Sequence, residues 1–413
     1  MFSQSNKLLS VSWLIILFFI FVRPFLSVHA YLLGGIWYIF SFIVSASLFI
    51  VLCGISSVLN KRNLLVFLFW TCIVISLVFS SAGPNHLSEL YLFAPNIFIL
   101  FAASIAHERK KQLITVMMAA AVIISFFALI QYFWLYDEII TQMGKTNIPR
   151  HMIPEYILQK RVFATFLSPN IFATYNGMMV NIGIAVLVSS YFKKQSKWVL
   201  GGLVFSVIIM IGTLFLTQSV AGIMAAGAGI AVFVFYLIFL IEPYKSLKKG
   251  KRCVLYVLIL GALAAGIIAV VGITEPGIMN FKDPSNGFVQ RFYYWVASIK
   301  MIGDSPWTGI GWRAMGDFYP GYKPVAANIS HYSHNVFLQI LLETGPVGLI
   351  LFLGIIILFF YRAHNTIKNS GSDQILNAGL LSAAVTFLVH NCFDISFYFV
   401  QVSFFWWLIL GLF

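Results

Sequence analysis

The strongest constraint on this chain is the recurrence of apolar runs about 20 residues long, the length a helix needs to cross roughly 30 Å of hydrocarbon. Twelve are counted, at 8–28, 32–58, 64–83, 88–106, 113–136, 163–190, 198–217, 220–241, 253–273, 336–361, 375–395 and 398–413. Backbone groups in a bilayer must bond within their own segment, so such runs become helices. The expected fold is all-α: a polytopic membrane protein of about 12 transmembrane helices, with 1–413 as a single integral membrane domain. Composition agrees, since 60% of residues are hydrophobic and only 9% are charged, against roughly 25% charged in a soluble domain. The first run follows Lys7 but has no convincing small-residue cleavage site and leads straight into further apolar sequence, so it reads as a retained span.

The formal net charge of +13 needs a location. Cytoplasmic loops of membrane proteins are enriched in Lys and Arg. Lys7, Lys61-Arg62, Arg109-Lys110-Lys111, Lys193-Lys194 with Lys197, the Lys245 to Arg252 cluster, and Arg362 with Lys368 all fall on one side of the twelve-span reading. That side holds 16 of the 26 basic residues and three of the 13 acidic ones, so the whole excess lies there and the other side balances. Both termini are therefore expected in the cytoplasm, with 137–162 an outer loop and 274–335 a large periplasmic loop, containing short helices, between spans 9 and 10. The charge marks topology, and no nucleic-acid partner is expected.

Cys53, Cys72, Cys253 and Cys392 lie in or beside apolar runs with no CxxC pair or metal-ligand spacing. They read as inert buried thiols, and no metal or cofactor is expected. No internal repeat suggests an inverted-repeat transporter.

The 274–335 loop offers the most polar scaffold. From 288 to 302 its apolar residues (Phe288, Phe292, Trp295, Val296, Ile299 and Ile302) recur at helical spacing, as in an amphipathic helix at the membrane surface. Arg291 within it has two readings: a planar fork for a phosphate or a snorkelling interfacial cation. Gly309-Ile310-Gly311 reads better as a tight turn before Arg313 than as a phosphate loop. After His331-Tyr332-Ser333-His334-Asn335 a helix is expected to run to Gly345, with Pro346 opening the next segment. His334 then sits beside a helix N-terminus, where the dipole favours the neutral, proton-accepting ring; a hydrogen-bonded structural role is the alternative. Glu343, about 180° round that helix from His334, is expected to pair with a neighbouring Arg. His390 and Asp394, four apart, are expected on one helical face, as a supporting or acceptor-binding pair or a structural one.

His334-Asn335, nine residues, then Gly345-Pro346-Val347-Gly348 resembles the H[NSQ]-x9-GxxG pattern of the O-antigen ligase and polymerase superfamily of bacterial membrane glycosyltransferases. Arg291-Phe-Tyr-Tyr-Trp, Pro306-Trp307-Thr308-Gly309-Ile310-Gly311 and Arg161 to Asn170 resemble further blocks, so the likeness covers roughly 160–400. It implies transfer of a glycan from undecaprenyl diphosphate to an acceptor hydroxyl on the periplasmic face of the inner membrane, without a metal ion. It also implies His334 as the base and Arg291 as a diphosphate contact. Arg161 is the leading second phosphate contact, with Lys160 and Arg150 as further candidates. His331, Asn335, Glu343, His390 and Asp394 are candidate supporting residues. One departure stands out: where many relatives carry Arg after Thr-Gln-Ser, this chain has Val220 following Thr217-Gln218-Ser219.

The expected activity is that of an inverting O-antigen ligase with lipid A-core as acceptor. The alternatives are a repeat-unit polymerase, then a protein oligosaccharyltransferase. A polyprenyl-linked glycan flippase is the rival from another class, and sparse mid-span charges count against it.

Overall fold

The computed structural model describes residues 2–26, 35–54, 63–80, 87–145, 155–241, 248–274, 283 and 286–413. Regular structure among them is helical throughout. In chain order the α-helices are α1 (Phe2–Val22), α2 (Gly35–Cys53), α3 (Leu64–Val78), α4 (Leu87–Phe93), α5 (Pro95–Ile105) and α6 (Lys110–Ile130). Then come α7 (Tyr136–Lys145), α8 (Glu155–Leu158), α9 (Pro169–Phe192), α10 (Lys197–Leu216), α11 (Val220–Leu240) and α12 (Lys249–Thr274). The last five are α13 (Gly287–Asp304), α14 (Met315–Phe318), α15 (Val336–Asn369), α16 (Gln374–His390) and α17 (Val400–Gly411).

Among the described residues eight helices are long and apolar enough to cross a membrane, not twelve. The other four expected runs form shorter apolar helices, 37–53, 64–78, 374–390 and 400–411. Expected boundaries move for local reasons. The fifth run does not end at 136: a π-helical stretch, Gln131–Leu135, carries α6 into α7, so the expected outer loop 137–162 opens inside a helix. The sixth begins at Pro169 rather than 163 because Ser168 caps it, its side chain accepting from the Ile171 N–H at 3.3 Å with Pro at the first helical position. The eleventh stops at His390, short of 395.

The centre of the bundle is α9, α11 and α16 packed together, with α17 buried along its whole length. Membrane helices gain little from hydrophobicity against one another and approach through small residues and interhelical hydrogen bonds. Both devices operate here. A Cβ added at Gly229 of α11 would lie 2.7 Å from the Ser382 carbonyl oxygen of α16 and 2.9 Å from Asn181 Nδ2 of α9. Asn181 Nδ2 donates to Thr386 Oγ1 at 3.0 Å and to the Ala226 carbonyl at 3.3 Å, tying all three helices. The thiols depart from expectation, since Cys253 is exposed and the other three are only half-buried.

Gly229→Val is expected to force α11 away from α16 and lower the thermal midpoint of the detergent-solubilised protein. Asn181→Ala should cost about 1 kcal/mol, read from the same melting curves. An unchanged midpoint for Gly229→Val would refute this close packing.

Candidate active site

The segment carrying His334 is shaped by its backbone bonds. Asn335 caps α15, its Oδ1 accepting from Phe337 N and Leu338 N, both at 3.0 Å. Ser333 N donates to Gln339 Oε1 at 2.5 Å, and Val336 N donates to the Asn391 carbonyl at 2.8 Å, joining the start of α15 to the turn after α16. Between these anchors His334 adopts a left-handed φ of 56°, a region where His is among the enriched residue types.

As expected, the helix breaks at Gly345, whose φ of 69° and ψ of −174° are not helical, and Pro346 follows. The Gly309–Gly311 segment docks onto this break. Ile310 N donates to the Leu342 carbonyl at 2.9 Å and Gly311 N to the Glu343 carbonyl at 3.1 Å. Gly309 (φ 69°) has no room for a side chain, since a Cβ would lie 2.5–2.7 Å from backbone atoms of Glu343 and Thr344. This glycine pair therefore serves close packing rather than a phosphate loop.

Helix α13 also appears as expected, but the face it buries is Gln290, Tyr294, Ala297, Ser298 and Met301. Phe292 and Ile299 of the expected apolar stripe point outward, as suits a helix lying on a membrane surface. Its polar and aromatic residues bring Arg291 and Tyr294 to His334. The Tyr294 ring stacks on His334, centroids 5.3 Å apart and planes at 27°. Arg291 Nε donates to the Phe393 carbonyl at 2.6 Å and Nη1 to the Gly287 carbonyl at 3.0 Å, leaving three of its five N–H groups without a partner among the described residues.

Asp394 lies at the centre of this group. It is not on the same helix as His390, because α16 ends at His390 and the chain turns back to bring the carboxylate in. Oδ2 lies 3.3 Å from His390 Nδ1, and Oδ1 lies 3.9 Å from His334 Nδ1, too long for a hydrogen bond. The carboxylate is 4% exposed and the His334 side chain 24%. Burial holds the His334 pKa down to about 4, opposed by the Asp394 charge and reinforced by Arg291. Burial likewise lowers the Arg291 pKa, with Asp394 and Tyr294 opposing it.

Arg161 belongs to the same end of the bundle. Its Nε donates to the Thr217 carbonyl at 3.0 Å and Nη2 to Asn170 Oδ1 at 3.2 Å, so it lies against the turn that leads into Val220. One turn along α9 from Asn170, Thr174 Oγ1 meets His390 Nδ1 at 2.7 Å and Ser396 Oγ at 2.6 Å. A continuous set of contacts thus runs from Arg161 to Asp394 and His334.

The remaining candidates lie differently. Lys160 is held by Asp137 at 2.5 Å, and His331 packs against the backbone of Gly316. Arg150 lies outside the described residues. Glu343 is buried and turned away from His334: Gln339 Nε2 and Tyr398 Oη donate to its carboxylate at 2.5 and 2.9 Å, and the Arg313 backbone N–H is a further donor. No Arg side chain forms an ion pair with it among the described residues; the Arg313 guanidinium goes instead to Glu89 and to the Tyr332 hydroxyl. Sequence reasoning missed Tyr294, Thr174 and Ser396. Tyr294 had a signal, standing three residues after Arg291 on the same helix, whereas the others meet the site only through tertiary packing.

Helices of this length enclosing a polar cluster at one end define a multi-pass membrane protein with a buried polar site. Residues 205–353 are similar to the O-antigen ligase family, a match that covers less than half of the chain and is consistent with the O-antigen ligase and polymerase superfamily. No curated protein and no solved structure matches the chain.

The depressed His334 pKa has a measurable consequence. Between about 4 and the unfolded value near 6.5 the unfolded chain binds more protons, so stability rises with pH across that window and is lost as pH falls through it. The thermal midpoint should drop between pH 6.5 and 4, and His334→Gln should flatten that slope; an identical slope in the variant would contradict the assignment.

Proposed function

We propose that the protein transfers a glycan from a polyprenyl diphosphate carrier to an acceptor hydroxyl at the periplasmic face of the inner membrane, as an O-antigen ligase using lipid A-core. The observation that supports this most is the convergence of a neutral His334 and the cationic Arg291 on one nearly buried carboxylate, Asp394, beneath a helix suited to the membrane surface.

With Nδ1 facing Asp394, the other ring nitrogen, Nε2, takes the acceptor's proton. The acceptor oxygen then bonds to the anomeric carbon as the bond to the diphosphate breaks, and the electron pair leaves with the diphosphate. Arg291 supplies charge to that leaving group through its open N–H groups. Arg161 stands on the other flank, beside the turn where Val220 offers no cation. Attack opposite the diphosphate inverts the anomeric carbon. Because Arg291 lowers the basicity of His334, a diphosphate bound to Arg291 offsets that effect and strengthens the base when the donor is in place.

The second reading is a repeat-unit polymerase, which shares the donor chemistry and differs in its acceptor. Purified protein given a carrier-linked glycan together with lipid A-core, carrier-linked repeat or peptide decides between them. Product on lipid A-core is expected. Product only on the carrier-linked repeat would make the protein a polymerase, and product only on the peptide an oligosaccharyltransferase.

His334→Ala is expected to reduce transfer by about 10²–10⁴-fold, and Arg291→Ala by about 10²–10³-fold, in stably inserted protein. Full transfer by either variant would remove that residue from the mechanism. The acid limb of the pH profile should lie near 4 in the free enzyme and move upward at saturating donor; a limb that stays in place would refute the coupling to Arg291.

A further inference from the structure

The end of the bundle opposite the candidate active site contains a cavity of about 560 Å³. It lies among the start of α3, the end of α5, the last third of α15 and the end of α17. Its distance from the site follows from α16: Lys110, in the cavity wall, donates to Asn377 Oδ1 at 2.7 Å, and Asn377 precedes His390 by thirteen residues, about 20 Å along a helix.

The walls sort by polarity along the bundle axis. On α15 the lining residues Ile355, Leu358, Phe359, Arg362, Asn365 and Thr366 recur at intervals of three and four, so they form one face. That face is apolar in the bundle and polar toward the helix end. The α5 wall repeats the pattern, passing from Leu100 through Ser104 to His107 and Lys110 just beyond the helix, and Asn63 lies ahead of Leu65 and Val66 at the start of α3. Three walls thus turn polar at the same level. Lys110 and Arg362 place two cations at this rim, and none of the described residues that line the cavity is Asp or Glu. Lys110 gives one of its three protons to Asn377, and the Asp373 carboxylate acts on its charge from nearby.

We propose that this cavity binds one anionic phospholipid, with its phosphate at Lys110 and Arg362 and the upper part of its acyl chains against Leu358, Phe359 and Leu100. Basic recesses between transmembrane helices have the right chemistry for such headgroups. The apolar lower walls select a lipid over free phosphate, which has nothing to place there. The rim belongs to the face where the chain concentrates its basic residues, so the occupant comes from that leaflet, opposite the glycan substrates. The proposal does not depend on the reaction assigned to the outer site.

The test uses the full chain in detergent, with phosphatidylglycerol, phosphatidylcholine of the same acyl chains, or inorganic phosphate added. Native mass spectrometry counts retained lipid and a melting curve reads stability. One phosphatidylglycerol is expected per chain, with a higher thermal midpoint than phosphatidylcholine gives and no effect of phosphate. The pair Lys110→Gln and Arg362→Gln should weaken retention about thirtyfold. Leu358→Trp, which fills the cavity and leaves both cations in place, should also abolish it. The charge-conserving pair Lys110→Arg and Arg362→Lys should retain the lipid, separating lost charge from lost folding. Equal retention of both lipids, phosphate reproducing the stabilisation, or unchanged binding in the Gln pair would each overturn the proposal.

Discussion

A buried helix that breaks must find donors for the carbonyls it frees, because a buried polar group left unsatisfied costs about 1–3 kcal/mol. In α15 the break at Gly345 and Pro346 does this to Leu342, whose normal partner would be the N–H that Pro346 lacks, and to Glu343. The segment between α13 and α14 supplies the replacements, Ile310 N and Gly311 N, and Ser76 Oγ of α3 adds a third at 2.6 Å. One local irregularity thereby ties the loop, α3 and α15 together. The stretch from Val336 to Glu343 is held at both ends, by the Val336 to Asn391 bond and by this docking, and His334 lies just ahead of it, between the Ser333 and Val336 bonds.

The same economy governs the polar groups in the bundle. Glu343 is fully buried yet meets Gln339, Tyr398 and the Arg313 backbone, so its carboxylate is a structural centre rather than a partner of His334. Asp394 differs, with histidines on two sides, Arg291 acting on it from α13, and, among the described residues, only the Ile395 N–H at 2.8 Å as a hydrogen-bond donor. An under-bonded carboxylate of low exposure beside an open guanidinium is the combination expected where charge must move.

Much of the fold was legible because the bilayer leaves few options. Apolar length predicted a helix at all twelve positions, although four prove shorter than a full span. The break at Gly345, the helix start after His334 and the α13 helix were readable because each depends on a few neighbouring residues. Boundaries were misplaced where packing intervened: the π-helical stretch that extends α6, the cap at Ser168, and the turn that takes Asp394 off α16. Which face of α13 packs on protein was not legible, because hydrophobicity there points to lipid as well as to protein and periodicity does not distinguish them.

The sequence by itself determined the membrane class, which rests on composition, and singled out His334 and Arg291 as candidates through motifs within short stretches. Only the tertiary structure decided which distant groups surround them. Tyr294 stacks on His334, Thr174 and Ser396 reach His390, Arg161 lies beside the Thr217 turn, and Lys160 is committed to Asp137. These pairings link residues from helices far apart in the chain, set by how small side chains let α9, α11 and α16 approach, and no local pattern encodes that geometry.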